Sequence, residues 1–307
     1  MYDLAIIGGG PAAVAAGVYA ARKRLKTIFI AEQIGGQSTE SPDVQNWVGT
    51  PHISGAAMAK QLEAHLREYA GDVLEIKTGE RATAITKNEG SFSIATAATS
   101  HLAQTVLVAT GGARKKLEAA GAEQFEHKGL TYCASCDGPL FAGADVAVVG
   151  GGNAAFETAA QLLAYCKSVT LIHRQADFVR ADKGTVDTVL KNPKMKTITN
   201  AEVTGVSGEQ FVKSISVKDG TTGTVTELPV AAVFVEIGMV PATGLVKDLV
   251  ELDGYGRIKV DPKNQRASSL GVWAAGDCSD GLYHQNNIAA GDAVKALEDI
   301  YYFLKAR

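Results

Sequence analysis

Tyr2-Asp3-Leu4-Ala5-Ile6-Ile7-Gly8-Gly9-Gly10-Pro11-Ala12-Ala13 is the stretch whose reading decides the fold class. An apolar run passes into a glycine turn and then into an Ala-rich segment. The pattern predicts a strand to Ile7, a helix from about Pro11 to Arg24 and a second strand over Thr27 to Ala31, which together make a β-α-β unit. Within the turn the spacing is Gly-x-Gly-x-x-Ala. Gly8 permits the tight turn, Gly10 lets a pyrophosphate approach the backbone, and Ala13 allows close helix packing while the helix N-terminus faces the anion. Glu32 ends the second strand 22 residues after Gly10, where a carboxylate can bond ribose hydroxyls. A bare glycine pattern is weak evidence, and the strand-turn-helix context makes it a dinucleotide site.

The same plan returns about 140 residues later. Asp145 to Val149 reads as a strand, Gly150-Gly151-Gly152 as the turn, Asn153 to Tyr165 as a helix and Ser168 to His173 as the next strand. The second fingerprint is Gly150, Gly152 and Ala155, and its acidic partner is missing. His173-Arg174-Gln175 stands there instead, with Arg180 a little further on. A carboxylate would repel a 2'-phosphate and a guanidinium pairs with it, so the site favours NADPH over NADH.

Further strand-like runs occur at Ser91 to Thr96, Thr105 to Ala109, Ser214 to Val217, Ala231 to Ile237 and Val272 to Ala275, and a final helix is expected from about Ile288 to Leu304. The expected fold class is α/β, with two Rossmann-like three-layer domains, the second inserted into the first. The boundaries fall at 1–113 with 244–307 for the outer domain and 114–243 for the inserted one, with crossings near Gly112 to Arg114 and Pro241 to Leu245.

Composition narrows the function. The chain has 307 residues, 46% hydrophobic and 21% charged, which is globular composition and too long for one ordinary core. A net charge of -3 without clustered Lys and Arg argues against a nucleic-acid partner. The first strand begins almost at the initiator, leaving no room for a secretory signal, and no apolar run approaches the roughly 20 residues that span a bilayer. The expectation is a soluble, cytoplasmic protein with no membrane partner.

Cysteines stand at 133, 136, 166 and 278, too few for a disulfide scaffold. Cys133-Ala134-Ser135-Cys136 has the spacing that brings two thiols onto one side of a helical turn, within reach of a disulfide, where a helix N-terminus favours the attacking thiolate. Asp137 follows at once and can hold a proton for a departing thiolate. Half a zinc site is the competing explanation, but no second Cys-x-x-Cys exists, so no metal is expected. Cys166 and Cys278 read as small buried hydrophobes.

With these pieces in order, the chain resembles the low-molecular-weight thioredoxin reductase family over essentially its full length. Matching stretches are Gly8 to Ala13, Gly35-Gly36-Gln37, Asn46-Trp47, Ala109-Thr110-Gly111, Cys133 to Gly138, Gly150 to Ala155 and Ala274-Ala275-Gly276-Asp277. Cys136 to Phe141 and Phe234 to Gly238 look closer to the flavoprotein subunit of alkyl hydroperoxide reductase. The resemblance implies that the outer domain binds FAD through Gly8, Gly10, Pro11, Ala12, Ala13, Glu32, Gly36, Gln37, Asn46, Ala109, Thr110, Gly111, Gly276, Asp277, His284, Gln285 and Asn286. It implies that the inserted domain binds NADPH, with NADH as the alternative, through Gly150, Gly152, Asn153, Ala154, Ala155, His173, Arg174 and Arg180. Cys136 would face the flavin, Cys133 would exchange with the partner, and Asp137 would be the acid. A homodimer is implied as well.

Two departures shape the expectation. The hydroperoxide reductase relative carries an extra thioredoxin-like N-terminal region, and this chain starts at the FAD fold, so its electrons are expected to leave to a separate thioredoxin- or glutaredoxin-like protein. The family's His-Arg-Arg-x-x-x-Arg run is altered here to His173-Arg174-Gln175 with Arg180 displaced by one, and His284 stands where relatives carry Arg or Lys. An FAD-dependent dithiol oxidase and a ferredoxin-linked reductase share the fold, but both lose the second nucleotide site that Gly150, Gly152 and Ala155 preserve. A non-catalytic flavin-binding module would need no Cys pair.

Overall fold

The computed structural model describes residues 1–41, 43–179 and 181–305. By contact the chain divides into two compact units, Met1–Ala113 with Val240–Arg307, and Arg114–Met239. The second is therefore an insertion in the first.

In the outer unit β1 (Tyr2–Ile7), α1 (Pro11–Arg22), β2 (Thr27–Ala31), α2 (Gly55–Ala70) and β3 (Leu74–Thr78) are followed by β4 (Ala82–Asn88), β5 (Ser91–Thr96) and β6 (Ser100–Val108). The sheet order is β3-β2-β1-β6-β5-β4. β1, β2, β3 and β6 are mutually parallel where they pair, and the β4-β5 hairpin adds antiparallel strands. The parallel strands are apolar on both faces because both faces are covered. Leu4 and Ile6 join one core with α1 residues and Leu66 of α2, and the alternate residues Ala5 and Ile7 join a second core with Phe92, Ile94, Val246 and Ile258.

β7 (Gly112–Arg114) leads into the inserted unit, with β8 (Leu130–Thr131), α3 (Ala134–Asp137), β9 (Asp145–Gly150), α4 (Asn153–Leu163), β10 (Ser168–Ile172), α5 (Lys183–Leu190) and β11 (Met195–Ile198). β12 (Ala201–Gly208), β13 (Val212–Asp219) and β14 (Val225–Pro229) form an antiparallel meander, and β15 (Ala232–Glu236) returns to the main sheet. That sheet runs β11-β10-β9-β15-β8, all parallel. One face packs on α4 through Phe156, Ala159 and Leu162, and the other on the meander through Val203, Ile215 and Val217. These are three layers again: helix, sheet, meander.

β16 (Met239–Pro241) pairs with β7, so the two crossings run side by side. The chain returns to the outer unit at Val240, four residues before the 244 expected from the sequence. The last elements are β17 (Val272–Ala274) and α6 (Asn286–Lys305). β17 pairs in parallel with Val106–Val108, the second half of β6, whose first half pairs with β5. α6 lays Ala293, Ala296, Leu297 and Ile300 in the same core as α1. No helix among the described residues is long and apolar enough to cross a membrane.

Candidate active site

Cys133 and Cys136 form a disulfide with Cα atoms 5.3 Å apart. Cys133 is the N-cap of the single turn α3, and its Sγ accepts a hydrogen bond from the Cys136 N–H at 3.1 Å. Both cysteines are half-buried, so the turn is reachable from solvent. The Asp137 N–H donates to the Cys133 carbonyl at 3.0 Å, and the Thr131 hydroxyl donates to the Asp137 carboxyl. Burial pushes the Asp137 carboxyl above the ordinary aspartate range, against the opposing pulls of Thr131 and the nearby His127. A carboxyl raised in this way keeps its proton to higher pH, as a proton donor to thiolate requires. Thr131 carried no signal in the sequence. Cys166 and Cys278 are buried free thiols that donate weakly to the Phe141 carbonyl and to the Val108 and Ala275 carbonyls.

In the outer unit, Gly8 has φ 130°, and a Cβ there would stand 2.1 Å from the Ala109 carbonyl oxygen, so the turn closes only with glycine. Gly10 differs, since a Cβ there would meet nothing within 4 Å. Open space therefore lies over the N-terminus of α1, which has Pro11 at its start, no side-chain cap and no acidic residue in its first turn. Its free N–H groups suit an anion. Ala12 and Ala13 are buried, and Gly276 brings the later segment within Cβ contact of Ala12. Gly36 lies against Gly10, while Gln37 and Glu32 are exposed, Glu32 3.7 Å from Arg81.

The same unit gathers the remaining expected residues by hydrogen bonds across the chain. Asn46 Nδ2 donates to Gln285 Oε1 at 3.0 Å, Ser38 Oγ donates to Asn286 Oδ1 at 2.9 Å, and Asn287 Nδ2 donates to the Asn46 carbonyl at 2.7 Å. Ser38 and Asn287 are thus part of the construction, though no motif marked them. Asp277 Oδ1 lies 3.4 Å from His284 Nδ1. Thr110 Oγ1 donates to the Ala242 carbonyl at 2.7 Å, and the Ala242 N–H donates to Gly111 at 2.9 Å, which ties the end of β6 to the returning chain.

The inserted unit repeats the arrangement. Gly150 has φ 151°, and a Cβ there would stand 2.4 Å from the Glu236 carbonyl oxygen, whereas Gly152 opens on empty space. α4 likewise begins without a side-chain cap or an acidic first turn. Ala155 is buried against the sheet, Ala154 is exposed, and Asn153 Oδ1 accepts the Asp182 N–H at 2.7 Å. His173 packs on Gly151 and stacks on Phe178 with ring centroids 5.4 Å apart. Arg174 is exposed and joins none of the ion pairs found among the described residues. Arg180 lies outside the described residues. Glu236, 6% exposed, holds Arg114 at 3.0 Å and accepts from the Thr158 hydroxyl at 2.9 Å, and burial still raises its carboxyl.

Two uncapped helix N-termini behind glycine turns and a reachable disulfide define a dinucleotide-dependent redox protein. The chain belongs to the pyridine nucleotide-disulphide oxidoreductase family, whose model matches residues 2–293. It is 35% identical over 305 residues to a subunit of alkyl hydroperoxide reductase from Escherichia coli, covering 99% of this chain and 58% of that protein. The chain thus spans less than two thirds of that relative's length. Among solved structures it is similar to thioredoxin reductase from Streptococcus pyogenes, with a TM-score of 0.91 and 35% identity over 100% of this chain and 99% of that one. Thioredoxin reductase from Giardia duodenalis gives a TM-score of 0.93 and 32% identity over 99% and 98%. The family implies FAD and a nicotinamide dinucleotide. The open space at Gly10 and Gly152 over uncapped helix ends fits two such groups.

Proposed function

We propose that this chain is a flavoprotein disulfide reductase. Electrons pass from NAD(P)H, with NADPH preferred, through FAD to the Cys133–Cys136 disulfide, and then to a disulfide on a separate thioredoxin- or glutaredoxin-like protein. The observation that carries the reading is the half-exposed disulfide with the raised carboxyl of Asp137 beside it, in the unit that holds the second fingerprint. Bound FAD would supply two-electron transfer between a hydride donor and a disulfide.

The chain's own residues bind and handle protons. The first turns of α1 and α4 would hold the two pyrophosphates through backbone N–H groups. In the dithiol form Cys133 attacks the partner's disulfide as the thiolate, its proton held on Asp137. Asp137 gives that proton to the departing partner thiolate, and Cys136 then attacks the Cys133 sulfur and releases the second partner sulfur with its own proton. Two electrons and two protons have then moved, and the Cys133–Cys136 bond is restored. Arg174, exposed and without an ion pair among the described residues, is the guanidinium that reads a 2'-phosphate. A cytoplasmic homodimer belongs to the same reading, on the family resemblance.

Anaerobic titration with NADPH and then NADH, followed through flavin bleaching, is the test. One equivalent of NADPH is expected to bleach the flavin. A reconstituted holoprotein that neither nucleotide bleaches would overturn the reading. Arg174→Ala is expected to weaken NADPH roughly tenfold more than NADH, and equal losses would show that Arg174 does not read the phosphate.

A further inference from the structure

Gly138, directly after the redox turn, has φ -52°, a backbone conformation open to every residue. Space is what favours glycine. A Cβ at Gly138 would stand 2.2 Å from the Tyr165 hydroxyl oxygen and 3.1 Å from Leu162 Cδ2. Tyr165 follows the last turn of α4, and one turn earlier on that helix Gln161 Oε1 accepts the Ser135 hydroxyl at 3.1 Å. Two side chains from one helix end therefore grip the residues immediately before and after Cys136-Asp137. Main-chain bonds fix the grip, with the Gly143 N–H donating to the Tyr165 carbonyl at 2.9 Å. The Tyr165 hydroxyl oxygen is buried and makes no hydrogen bond of ordinary geometry in the disulfide form. Burial raises its pKa, and hydrogen bonding from the Gln161 side chain, too loose to meet ordinary geometry, offsets part of that rise.

We propose that Gln161 and Tyr165 are positioning residues for the redox pair, setting where Cys136 and Asp137 stand, and that the Tyr165 hydroxyl favours the dithiol over the disulfide. A buried donor without a well-placed acceptor is unfavourable, and that condition holds in the disulfide form, where Gln161 Oε1 already accepts from Ser135. Opening the Sγ–Sγ bond takes up two electrons and two protons and releases Cys136, two residues from the hydroxyl's seat, to accept from it. The inference rests on the Cys pair being redox-active, as in the function proposed above, but its measurement needs neither nucleotide nor protein partner.

The flavin-loaded full chain is equilibrated in glutathione buffers, where two glutathione thiols supply the electrons and protons, and the Cys133–Cys136 state is read by thiol trapping and mass. Tyr165→Phe is expected to shift the equilibrium toward the disulfide by at least twofold. A tenfold shift would correspond to about 30 mV for a two-electron couple. A smaller shift, or one toward the dithiol, overturns the proposal. Gly138→Ala, Tyr165→Leu and the double variant test the contact itself. The effect of the added methyl should fall at least twofold once the tyrosine is gone, and equal effects in both backgrounds also overturn it. Failure of nucleotide to bleach the flavin while the pair still titrates would sink the reductase reading alone, and the Tyr165→Phe shift would still decide this one.

Discussion

The surroundings of Asp137 suit it to the acid's task proposed for it. Its carboxyl is raised by burial although the Thr131 hydroxyl and His127 pull the other way. Its contribution to stability is therefore fully present below the unfolded aspartate pKa and is lost as pH rises through the higher folded value. Asp137→Asn removes that titration, so the stability-versus-pH curve of the variant should be flatter across this window, measured by thermal unfolding of variant and unsubstituted protein. The same change leaves no proton to transfer, and turnover of a thioredoxin-like disulfide should fall by roughly 10²-fold while flavin bleaching by nucleotide persists. Undiminished turnover would remove the acid role. The aspartate was legible because it follows the cysteines directly. Thr131, which orients it, stands on the far side of the turn and joins it only once the chain folds.

At the scale of elements, the two strand-turn-helix units were readable because Gly8 and Gly150 stand where the backbone geometry allows no alternative, while Gly10 and Gly152 leave the helix ends open. Gly8 and Gly10 make the point separately. Gly10→Val is expected to leave the unfolding temperature of the apoprotein nearly unchanged, since its Cβ enters open space, yet to lower FAD affinity at least tenfold by filling the approach to α1. Gly8→Ala should destabilise the apoprotein itself, because its Cβ would collide with the Ala109 carbonyl. Flavin fluorescence and thermal unfolding separate the two, and normal FAD binding by Gly10→Val would remove that helix end from the site. Other elements were silent in the sequence. α2 buries only Gly55, Met58 and Leu66 of its sixteen residues, too few to print a periodic apolar stripe, and its Ser54 cap is a single polar residue among several. Ser38 and Asn287 were equally silent, for they are ordinary polar residues until the chain brings Ser38 and Asn46 beside the start of α6.

For the molecule as a whole, the insertion was visible because a second fingerprint interrupts the first fold before its last strand arrives. In the proposed cycle the nicotinamide and the Cys pair both belong to the inserted unit and must each meet the same flavin, so that unit is expected to rotate about the crossings at Gly112 to Arg114 and Pro241 to Leu245. Cross-linking the two units through engineered cysteines away from both sites tests this. A form locked with Cys136 beside the flavin should lose reduction by NADPH, and unaltered turnover in the locked form would sink the idea. The shared strand β6 also bears on how the protein is made. Its residues Val106–Val108 wait for Val272–Ala274, which leave the ribosome only after the whole inserted unit has been synthesised. Until then the nascent outer sheet carries a bare apolar edge, the kind of edge that recruits foreign strands. The inserted unit, whose sheet closes entirely within 114–239, is free to fold first, and the outer sheet is exposed to aggregation for as long as translation takes to cover that distance.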